Sequence, residues 1–295
     1  MARPAVGRIV VTGATGFVGR HLVPALAADG WEVHALTRGP PVESLGPAQV
    51  HVVPDDTAAL VDLMAEIAPT SVVHLAALFR GVHRVEDVEP LVRSNVLFTA
   101  QMAEAAVRSG TSALIYAGTA WQHYEGAPYS PVALYAATKQ AGQDILRFYA
   151  EVHGLTVIAL KLFDTYGPGD ERGKLLSLLA DAAASGGVLE LSPGEQLIDL
   201  LYIDDAVGAF QRALEIASER SGWHEYSLET GRALSIHDIV QIVGDVLGRP
   251  PAVTFGARPY RPREMRERWS AGEPLPGWRP EVELETGLVR TWGAA

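Results

Sequence analysis

Short apolar runs alternate with longer amphipathic stretches over the first 163 residues of the chain. The apolar runs are rich in valine, isoleucine and leucine and are bounded by turn formers, a pattern typical of buried strands. They are RIVVTG, WEVHAL, QVHVVP, SVVHLA, SALIYAG and TVIALKLF. Helical patterns lie between them near residues 17–29, 57–68, 88–109 and 133–153. This alternation predicts an α/β fold in which helices cover both faces of a parallel sheet.

The pattern becomes less regular after residue 163. Residues 173–185 and 204–217 are predicted helices, and LELSP and LIDLLYI are predicted strands. The chain from about residue 248 is rich in proline, glycine and arginine. We therefore predict a Rossmann-like, doubly wound domain and a smaller C-terminal substrate-binding lobe. The first comprises residues 1–163, rejoined by 204–228, and the second comprises residues 164–203 and 229–295.

Composition narrows the function classes. The chain has 295 residues, of which 48% are hydrophobic and 20% charged, and a net charge of −11. With no long basic run, nucleic acid is not an expected partner. The lack of cysteine excludes disulfides, thiolate zinc sites and cysteine nucleophiles. Neither a signal peptide nor a membrane span is predicted, so we expect a cytoplasmic protein without a membrane partner.

A glycine turn, TGATGFVGR, follows the first predicted strand and begins the first predicted helix. Gly13 suits a tight turn, Gly16 allows the backbone to approach a pyrophosphate, and Gly19 allows close packing of helix and strand. Because the triplet lies in a series of strand–helix units, it predicts dinucleotide binding. The other residues of the turn that we expect to contact the cofactor are Thr15, Phe17 and Val18.

The end of the second predicted strand indicates which dinucleotide is bound. An NAD site usually has an acidic residue there, but the nearest acid, Glu32, lies at the start of this strand. Thr37 and Arg38 are the residues at the end of the strand, and a guanidinium suits the 2′-phosphate of NADP(H). The alternatives are that Arg38 is a solvated loop residue and that the cofactor is NAD. Asp55, after the third strand, is expected to bond the adenine amine or to cap a turn.

The stretch LYAATKQ places Tyr135 and Lys139 four positions apart, on one face of a predicted helix. An ammonium beside a phenol stabilises phenolate and lowers the phenol pKa. A shift of about 3 units from the usual value of about 10 requires on the order of 4 kcal/mol. Since a single ammonium is unable to supply all of this, we expect a cationic cofactor to contribute.

Together these residues resemble the extended short-chain dehydrogenase/reductase family, which includes nucleotide-sugar epimerases, dehydratases and ketoreductases. The segments that carry the resemblance follow the family's order over most of the chain. They are the glycine turn at 12–20, HLAAL at 74–78, Asn95, Thr119, YAATK at 135–139, LFDTYGPGD at 162–170 and IDLLYIDDAV at 198–207. The similarity is strongest to the branch of CDP-abequose and CDP-paratose synthases, which reduce a 4-keto group. It lies in the segments GTAWQHY, LYAATKQAGQDIL and KLFDTYGPGD.

The resemblance implies roles for the Tyr–Lys pair. Tyr135 would be the general acid that protonates the ketone oxygen, and Thr119 would bond the same oxygen. Lys139 would contact the nicotinamide ribose and lower the Tyr135 pKa. Asn95 is expected at the cofactor or as a support for a water or the backbone. Further cofactor contacts are implied at Leu75, Ala76, Ala77 and Phe163.

The surroundings distinguish the reactions of this family. Related dehydratases have an acidic pair after this threonine, whereas Ala120 and Trp121 stand here and neither does acid–base work. With exchangeable NADPH, the expected reaction is reduction of a nucleotide-linked 4-keto-6-deoxyhexose. The alternatives are an NAD-dependent 4-epimerase and a non-catalytic NADP-binding regulator. No metal-ligand motif is present in the sequence, so no metal is expected.

Residues outside the Tyr–Lys helix are candidates for the nucleotide-diphosphate sugar substrate. Many relatives have asparagine at Asp164 and arginine at Ile198. A carboxylate would repel a pyrophosphate, so Asp164 is expected to contact the sugar or the protein, and the phosphate contact must come from elsewhere. Arg261 and Arg263 are the candidates because guanidinium groups suit phosphate oxygens, with a solvated loop as the alternative for both. Trp121 and His123 are also expected at the sugar, with a packed aromatic loop as the alternative for His123. The resemblance further implies a homodimer through the helices near 92–109 and 133–153.

Overall fold

The computed structural model describes residues 7–39, 45–54, 56–267 and 269–293. Within these residues, parallel strands form a seven-stranded sheet in the order β10-β6-β5-β4-β1-β2-β3. The strands are β1 (Arg8–Thr12), β2 (Glu32–Thr37), β3 (Gln49–Val52), β4 (Ser71–His74), β5 (Ala113–Thr119), β6 (Thr156–Leu162) and β10 (Trp223–Leu228). The strand order reverses between β1 and β4. In open parallel sheets this reversal creates a ligand crevice at the carboxyl ends of the strands.

Helices cover both faces of the sheet, as predicted from the alternating pattern. The helices α1 (Phe17–Ala28) and α7 (Ile203–Glu219) pack on one face. The opposite face is covered by α2 (Thr57–Ile67), α4 (Phe98–Arg108) and α5 (Leu134–His153). Strand β1 shows why its sequence is continuously apolar: Ile9 and Val11 enter the first core and Val10 enters the second. The predicted Rossmann-like α/β fold is therefore confirmed.

Smaller elements lie beyond the large sheet. A three-stranded sheet has the order β11-β9-β7, and a two-stranded sheet pairs β12 with β8. The strands are β7 (Asp164–Tyr166), β8 (Leu189–Glu190), β9 (Leu197–Tyr202), β11 (Ala233–Ser235) and β12 (Val253–Thr254). The associated helices are α6 (Leu175–Ser185), α8 (Ile236–Leu247) and α9 (Leu284–Trp292). Strand β10 pairs with β6 in the large sheet. The division into two lobes stays a prediction.

Several elements differ from the sequence-based expectations. The predicted helix at 88–109 is divided into α3 (Val88–Val92), a π turn (Arg93–Leu97) and α4. Helices α8 and α9 were not predicted. Ser235 and Asp238 form a capping box at the start of α8, which is the sequence signal that would have located it. No helix of the described residues is long and apolar enough to cross a membrane.

Candidate active site

The glycine turn lies where β1 and β4 diverge. Gly13 has a φ of +67°, and a Cβ there would lie 2.7 Å from the Ala76 backbone nitrogen. The turn therefore packs directly against the end of β4, where Leu75 and Ala76 are half-buried and Ala77 is exposed. At Gly19 a Cβ would lie 2.3 Å from the Gly13 carbonyl oxygen, so only glycine allows this approach of helix and turn.

The start of α1 fits the pyrophosphate of a dinucleotide. Gly16 caps the helix with an extended backbone, and both Thr15 and Gly16 are exposed. The first-turn N–H groups of a helix have no partner within the helix and attract anions. The Phe17 ring instead packs inward, 4.1 Å from the Arg172 guanidinium. Phe17 and the half-buried Val18 can thus offer their backbone to a cofactor.

The end of β2 presents one of the residues on which the NADP(H) prediction depends. Arg38 is exposed, but the Thr37 hydroxyl donates to the Gly39 carbonyl oxygen (2.7 Å). Glu32 lies at the other end of the strand, where it accepts from Gln49 (3.1 Å). Arg38 is thus the exposed member of the pair, and its contact with a 2′-phosphate stays a prediction. Asp55, predicted to bond the adenine, lies outside the described residues.

Asn95 supports the protein backbone. Its Oδ1 accepts from the Leu78 backbone nitrogen (2.8 Å), and its Nδ2 donates to the Leu78 carbonyl oxygen (3.0 Å) and the Thr138 hydroxyl (2.9 Å). With these bonds made, the amide joins the π turn to the loop after β4 and to α5. This agrees with the backbone-supporting alternative, and a cofactor contact of Asn95 stays a prediction.

Thr119 and Tyr135 meet at the carboxyl end of β5. Thr119 ends this strand and Tyr135 lies in the first turn of α5, so that the Thr119 hydroxyl is close enough to the phenol to act on its pKa. The Phe79 and Trp121 rings lie edge-on to the Tyr135 ring, with centroids 4.9 and 6.4 Å away. A hydroxyl pair of this kind is suited to binding one substrate oxygen between apolar walls.

Burial raises the pKa of Tyr135 to about 12, and the Asp164 carboxylate also raises it. The Thr119 hydrogen bond and the Arg172 charge act in the opposite direction. The phenol is therefore protonated at neutral pH in the protein alone. A protonated phenol is prepared to donate a proton, which is what a ketone oxygen requires during reduction.

Lys139 is fully buried, and its Nζ lies 3.9 Å from the centroid of the Tyr116 ring. Its Nζ has no hydrogen-bond partner among the described residues. Burial, followed by the charge of Lys161, lowers the pKa of Lys139 to about 7. The expected stabilisation of the Tyr135 phenolate by Lys139 stays a prediction. An unsatisfied buried Nζ beside the glycine-turn crevice does fit a ribose hydroxyl of a dinucleotide.

A pocket lies next to Thr119. It is lined by Trp121, Phe163, Asp164, Ile198 and Arg261, among others. The Arg261 guanidinium lies 4.8 Å from the Trp121 ring centroid. It also bonds a neighbouring carboxylate, that of Glu264, with Nε 2.9 Å from Oε2. Ile198 is apolar and Arg261 is paired with Glu264, so the predicted phosphate contact of Arg261 stays a prediction. Phe163 lines this pocket, so the structure places it with the predicted substrate residues.

Asp164 forms an ion pair with Lys174, whose Nζ lies 2.6 Å from Oδ1. Burial acts to raise the pKa of Asp164, but Lys174 and nearby arginines outweigh it, so the pKa lies below its usual value. The carboxylate is therefore ionised and partly neutralised at the edge of the site. Neither Lys174 nor the exposed ring of Phe79 was predicted, because no local motif marks them.

His123 is buried in a packed position, and Arg263 is an exposed residue that is bonded to the loop before α5. The His123 ring stacks on Trp269 with centroids 3.8 Å apart, and its Nδ1 lies 3.2 Å from the Ala127 carbonyl oxygen. Arg263 donates to the Pro131 carbonyl oxygen (2.7 Å) and to a neighbouring serine hydroxyl. These contacts fix the loop around residues 123–131 and agree with the packed-loop alternative for His123, whereas the phosphate contact of Arg263 stays a prediction.

The family assignment follows from comparison with known proteins. Residues 9–227 match the model of the family described as "NAD dependent epimerase/dehydratase family". The chain belongs to this family. The extended short-chain dehydrogenase/reductase family predicted from the motifs is thereby confirmed, and the protein is an NAD(P)-dependent enzyme of that type.

Several members of the NAD-dependent epimerase/dehydratase family match over nearly their whole length. CDP-abequose synthase of Salmonella typhimurium is 25% identical over 288 residues, which is 95% of either chain. UDP-glucose 4-epimerase of Mycolicibacterium smegmatis is 29% identical over 309 residues, covering 96% of this chain and 97% of the relative.

Solved structures of the family have the same architecture. MoeE5 in complex with UDP-glucuronic acid and NAD superimposes with a TM-score of 0.81, at 28% identity and 97% coverage of each chain. UDP-glucose 4-epimerase of Thermus thermophilus in complex with NAD gives a TM-score of 0.83, at 26% identity, and covers 96% of this chain and 97% of the other.

Proposed function

We propose that this enzyme is an NADPH-dependent 4-ketoreductase that acts on a nucleotide-linked 4-keto-6-deoxyhexose. The observation that carries the proposal is the position of the Tyr135 phenol near Thr119 and between the Phe79 and Trp121 rings, where burial and then Asp164 raise its pKa. Reduction of a ketone needs a proton donor at its oxygen, whereas oxidation of an alcohol needs a base there. The similarity to CDP-abequose synthase supports the same substrate class.

The residues of the site have separate roles in the proposed reaction. Thr119 and Tyr135 hold the ketone oxygen between their hydroxyl groups, and Tyr135 gives up its proton as negative charge develops on that oxygen. When bound, NADPH would supply a hydride for C4. Lys139 and the glycine turn would hold its ribose and pyrophosphate. Phe79 and Trp121 exclude water from the sugar.

The turn after Thr119 argues against dehydration. Its residues Ala120 and Trp121 carry no acid or base, and the Trp121 backbone nitrogen bonds the Thr119 hydroxyl oxygen (3.3 Å). Elimination of water requires one group to remove a proton and another to protonate the leaving hydroxyl. Arg261 is the residue that we propose as the contact for the phosphates of the substrate.

The direct test is NADPH consumption with nucleotide-linked 4-keto-6-deoxyhexoses carrying CDP, dTDP, GDP or UDP. We expect loss of absorbance at the NADPH wavelength, matched mole for mole by a 4-hydroxy product in mass spectrometry. Consumption with none of these four substrates would refute the proposed function. The assay also identifies the base, which no described contact specifies.

An NAD-dependent nucleotide-sugar 4-epimerase is the second candidate. It is favoured by the 29% identity to the Mycolicibacterium smegmatis 4-epimerase and by the NAD in the MoeE5 and Thermus thermophilus complexes. An epimerase would interconvert UDP-glucose and UDP-galactose with no net change of the cofactor. Interconversion at a rate above ketone reduction would establish this alternative.

Replacement of Asp164 with asparagine is expected to change the pH dependence of reduction. Asp164 raises the pKa of Tyr135, so its loss lowers that pKa, and the unpaired Lys174 ammonium acts in the same direction. Reduction needs the protonated phenol and is lost as pH rises through its pKa. The alkaline loss of kcat should therefore begin roughly 1 pH unit lower in the variant.

This shift is measured from kcat between pH 8 and 12, a range that reaches the Tyr135 pKa of about 12. Asp62→Asn, which removes an exposed carboxylate from α2, is the matched control and should leave the profile unchanged. An alkaline limb that stays in place in Asp164→Asn, or moves to higher pH, would show that Asp164 does not set the protonation of Tyr135.

We propose that the enzyme is a homodimer formed through α4 and α5, which pack side by side. Large apolar side chains are exposed on α3, the π turn and α5, namely Val88, Val92, Leu97, Phe148 and Val152. An exposed apolar surface of this kind is typical of a protein–protein interface. The wild type should sediment at twice the chain mass of 31.6 kDa.

The double variant Leu97→Glu/Phe148→Glu should sediment as a monomer, because it buries two charges in the proposed interface. Val188→Glu, at an exposed position outside these helices, is the control and should remain dimeric. A monomeric wild type, or a dimeric double variant, would exclude this interface.

A further inference from the structure

A second fully buried lysine lies behind the Thr119 turn. Lys161, on β6, donates from Nζ to Gln122 Oε1 (2.7 Å) and to Gln143 Oε1 (2.7 Å). The Glu225 carboxylate of β10 lies 3.5 Å from the same nitrogen. A buried charge is costly unless it is paired and hydrogen-bonded, so these contacts fix the ammonium in place.

The hydrogen bonds of Lys161 continue to the catalytic turn. Gln122 Oε1 also lies 3.3 Å from the Thr119 backbone nitrogen, which donates to it. Gln122 Nε2 donates to Gln140 Oε1 of α5 (2.5 Å). The ammonium therefore connects β6 and β10 with the turn that begins at Thr119 and with the helix that carries Tyr135 and Lys139.

Lys161 also faces the same side of the sheet as Lys139. In the β5–β6 register Gly118 pairs with Lys161, and a Cβ at Gly118 would lie 3.2 Å from Lys161 Cδ. Tyr116 precedes Gly118 by two positions and so faces the same side, and its ring contacts Lys139 Nζ. The two buried ammonium groups thus lie on one face of neighbouring strands.

We propose that Lys161 is a positioning residue that fixes the Thr119–Gln122 turn against α5 and whose charge opposes protonation of Lys139 until the dinucleotide binds. This role needs only the NAD(P) dependence of the family, so it stands apart from the proposed ketone reduction. Lys139 then gains its charge when ribose oxygens are present to accept hydrogen bonds from it. Cofactor binding and protonation of Lys139 are coupled.

The electrostatics of the site agree with this coupling. Burial and then Lys161 lower the pKa of Lys139 to about 7, and burial lowers the pKa of Lys161 to about 8, against the opposing effect of Glu225. Titratable groups surround the pair on each packed element. They are His74 of β4, Tyr116 of β5, His123 of the following turn, Tyr135 and Asp144 of α5, and Glu225 of β10.

The sign of the pH dependence follows from linkage. A lysine that gains hydrogen-bond acceptors on cofactor binding has a higher pKa in the complex than in the free protein. Cofactor affinity is then full below the free-protein pKa, about 7 for Lys139, and is lost as pH rises above it. If Lys161 loses its charge, the free-protein pKa of Lys139 rises, and the loss of affinity begins at higher pH.

The test measures NADH and NADPH affinity by calorimetry between pH 6 and 9.5. In Lys161→Met the loss of affinity should begin roughly 0.5 to 1 pH unit higher than in the wild type. Arg147→Met removes the same charge from an exposed site on α5 and should not move the profile. Because affinity is measured without a sugar substrate, failure of the proposed reduction would not affect the result.

A second variant keeps the test decisive if Lys161→Met does not fold. Gln122→Glu retains the acceptor of Lys161 and places a compensating carboxylate beside it, so the onset should again move to higher pH. If either folded variant leaves the onset unchanged or moves it lower, the proposed effect on Lys139 is wrong. In assays of reduction, both variants should also lower kcat more than they change KM, because the Thr119 turn is displaced.

Discussion

Tyr135→Phe is expected to lower kcat for reduction of the nucleotide-linked 4-keto sugar by about 10³-fold, because the proton donor at the ketone oxygen is lost. The ring itself remains between Phe79 and Trp121, so the walls of the site are retained. The affinity for NADPH should change by less than about twofold, since the phenol oxygen is proposed to act on the sugar and not on the pyrophosphate.

Single-turnover reduction and NADPH calorimetry separate these two effects. Tyr129→Phe, which removes an exposed phenol oxygen in the loop before α5, is the matched control and should retain wild-type activity. Near wild-type kcat in Tyr135→Phe would mean that another group donates the proton. An equal loss of NADPH affinity would instead indicate that the substitution had disturbed the cofactor site.

Arg38→Ala is expected to weaken NADPH binding by roughly 10- to 100-fold and to leave NADH binding nearly unchanged. A hydrogen bond to a charged group contributes about 1.5–3 kcal/mol, and NADPH carries the 2′-phosphate that NADH lacks. Arg38 is exposed at the end of β2, so its removal should not disturb the core.

The comparison requires both cofactors and a second arginine variant. Arg84→Ala removes an exposed guanidinium from the loop after β4 and controls for the change in net charge. Equal losses for NADPH and NADH in Arg38→Ala would remove the argument for NADP(H) and favour the NAD found in the solved relatives. A preference for NADH in the wild type would have the same consequence.

The sequence was sufficient where a structural or chemical requirement is local. A strand buried on both faces must be apolar throughout, as in Ile9, Val10 and Val11, and this pattern predicted the parallel sheet. The glycine turn was recognisable because Gly13 and Gly19 satisfy steric limits set within a few residues. Tyr135 and Lys139 were recognisable because one helical turn separates them.

Tertiary structure alone decided which charges and rings meet. Helix α6 and strand β7 bring Lys174 to Asp164, the segment after β12 brings Trp269 onto His123, and the pairing of β5 with β6 brings Lys161 behind the Thr119 turn. The partners in these contacts come from separate elements. The hydrophobic periodicity of the sequence does not predict the distances between their side chains. Burial and charge at a site depend on these neighbours, so pKa values and available hydrogen-bonding groups emerge only when the chain is folded.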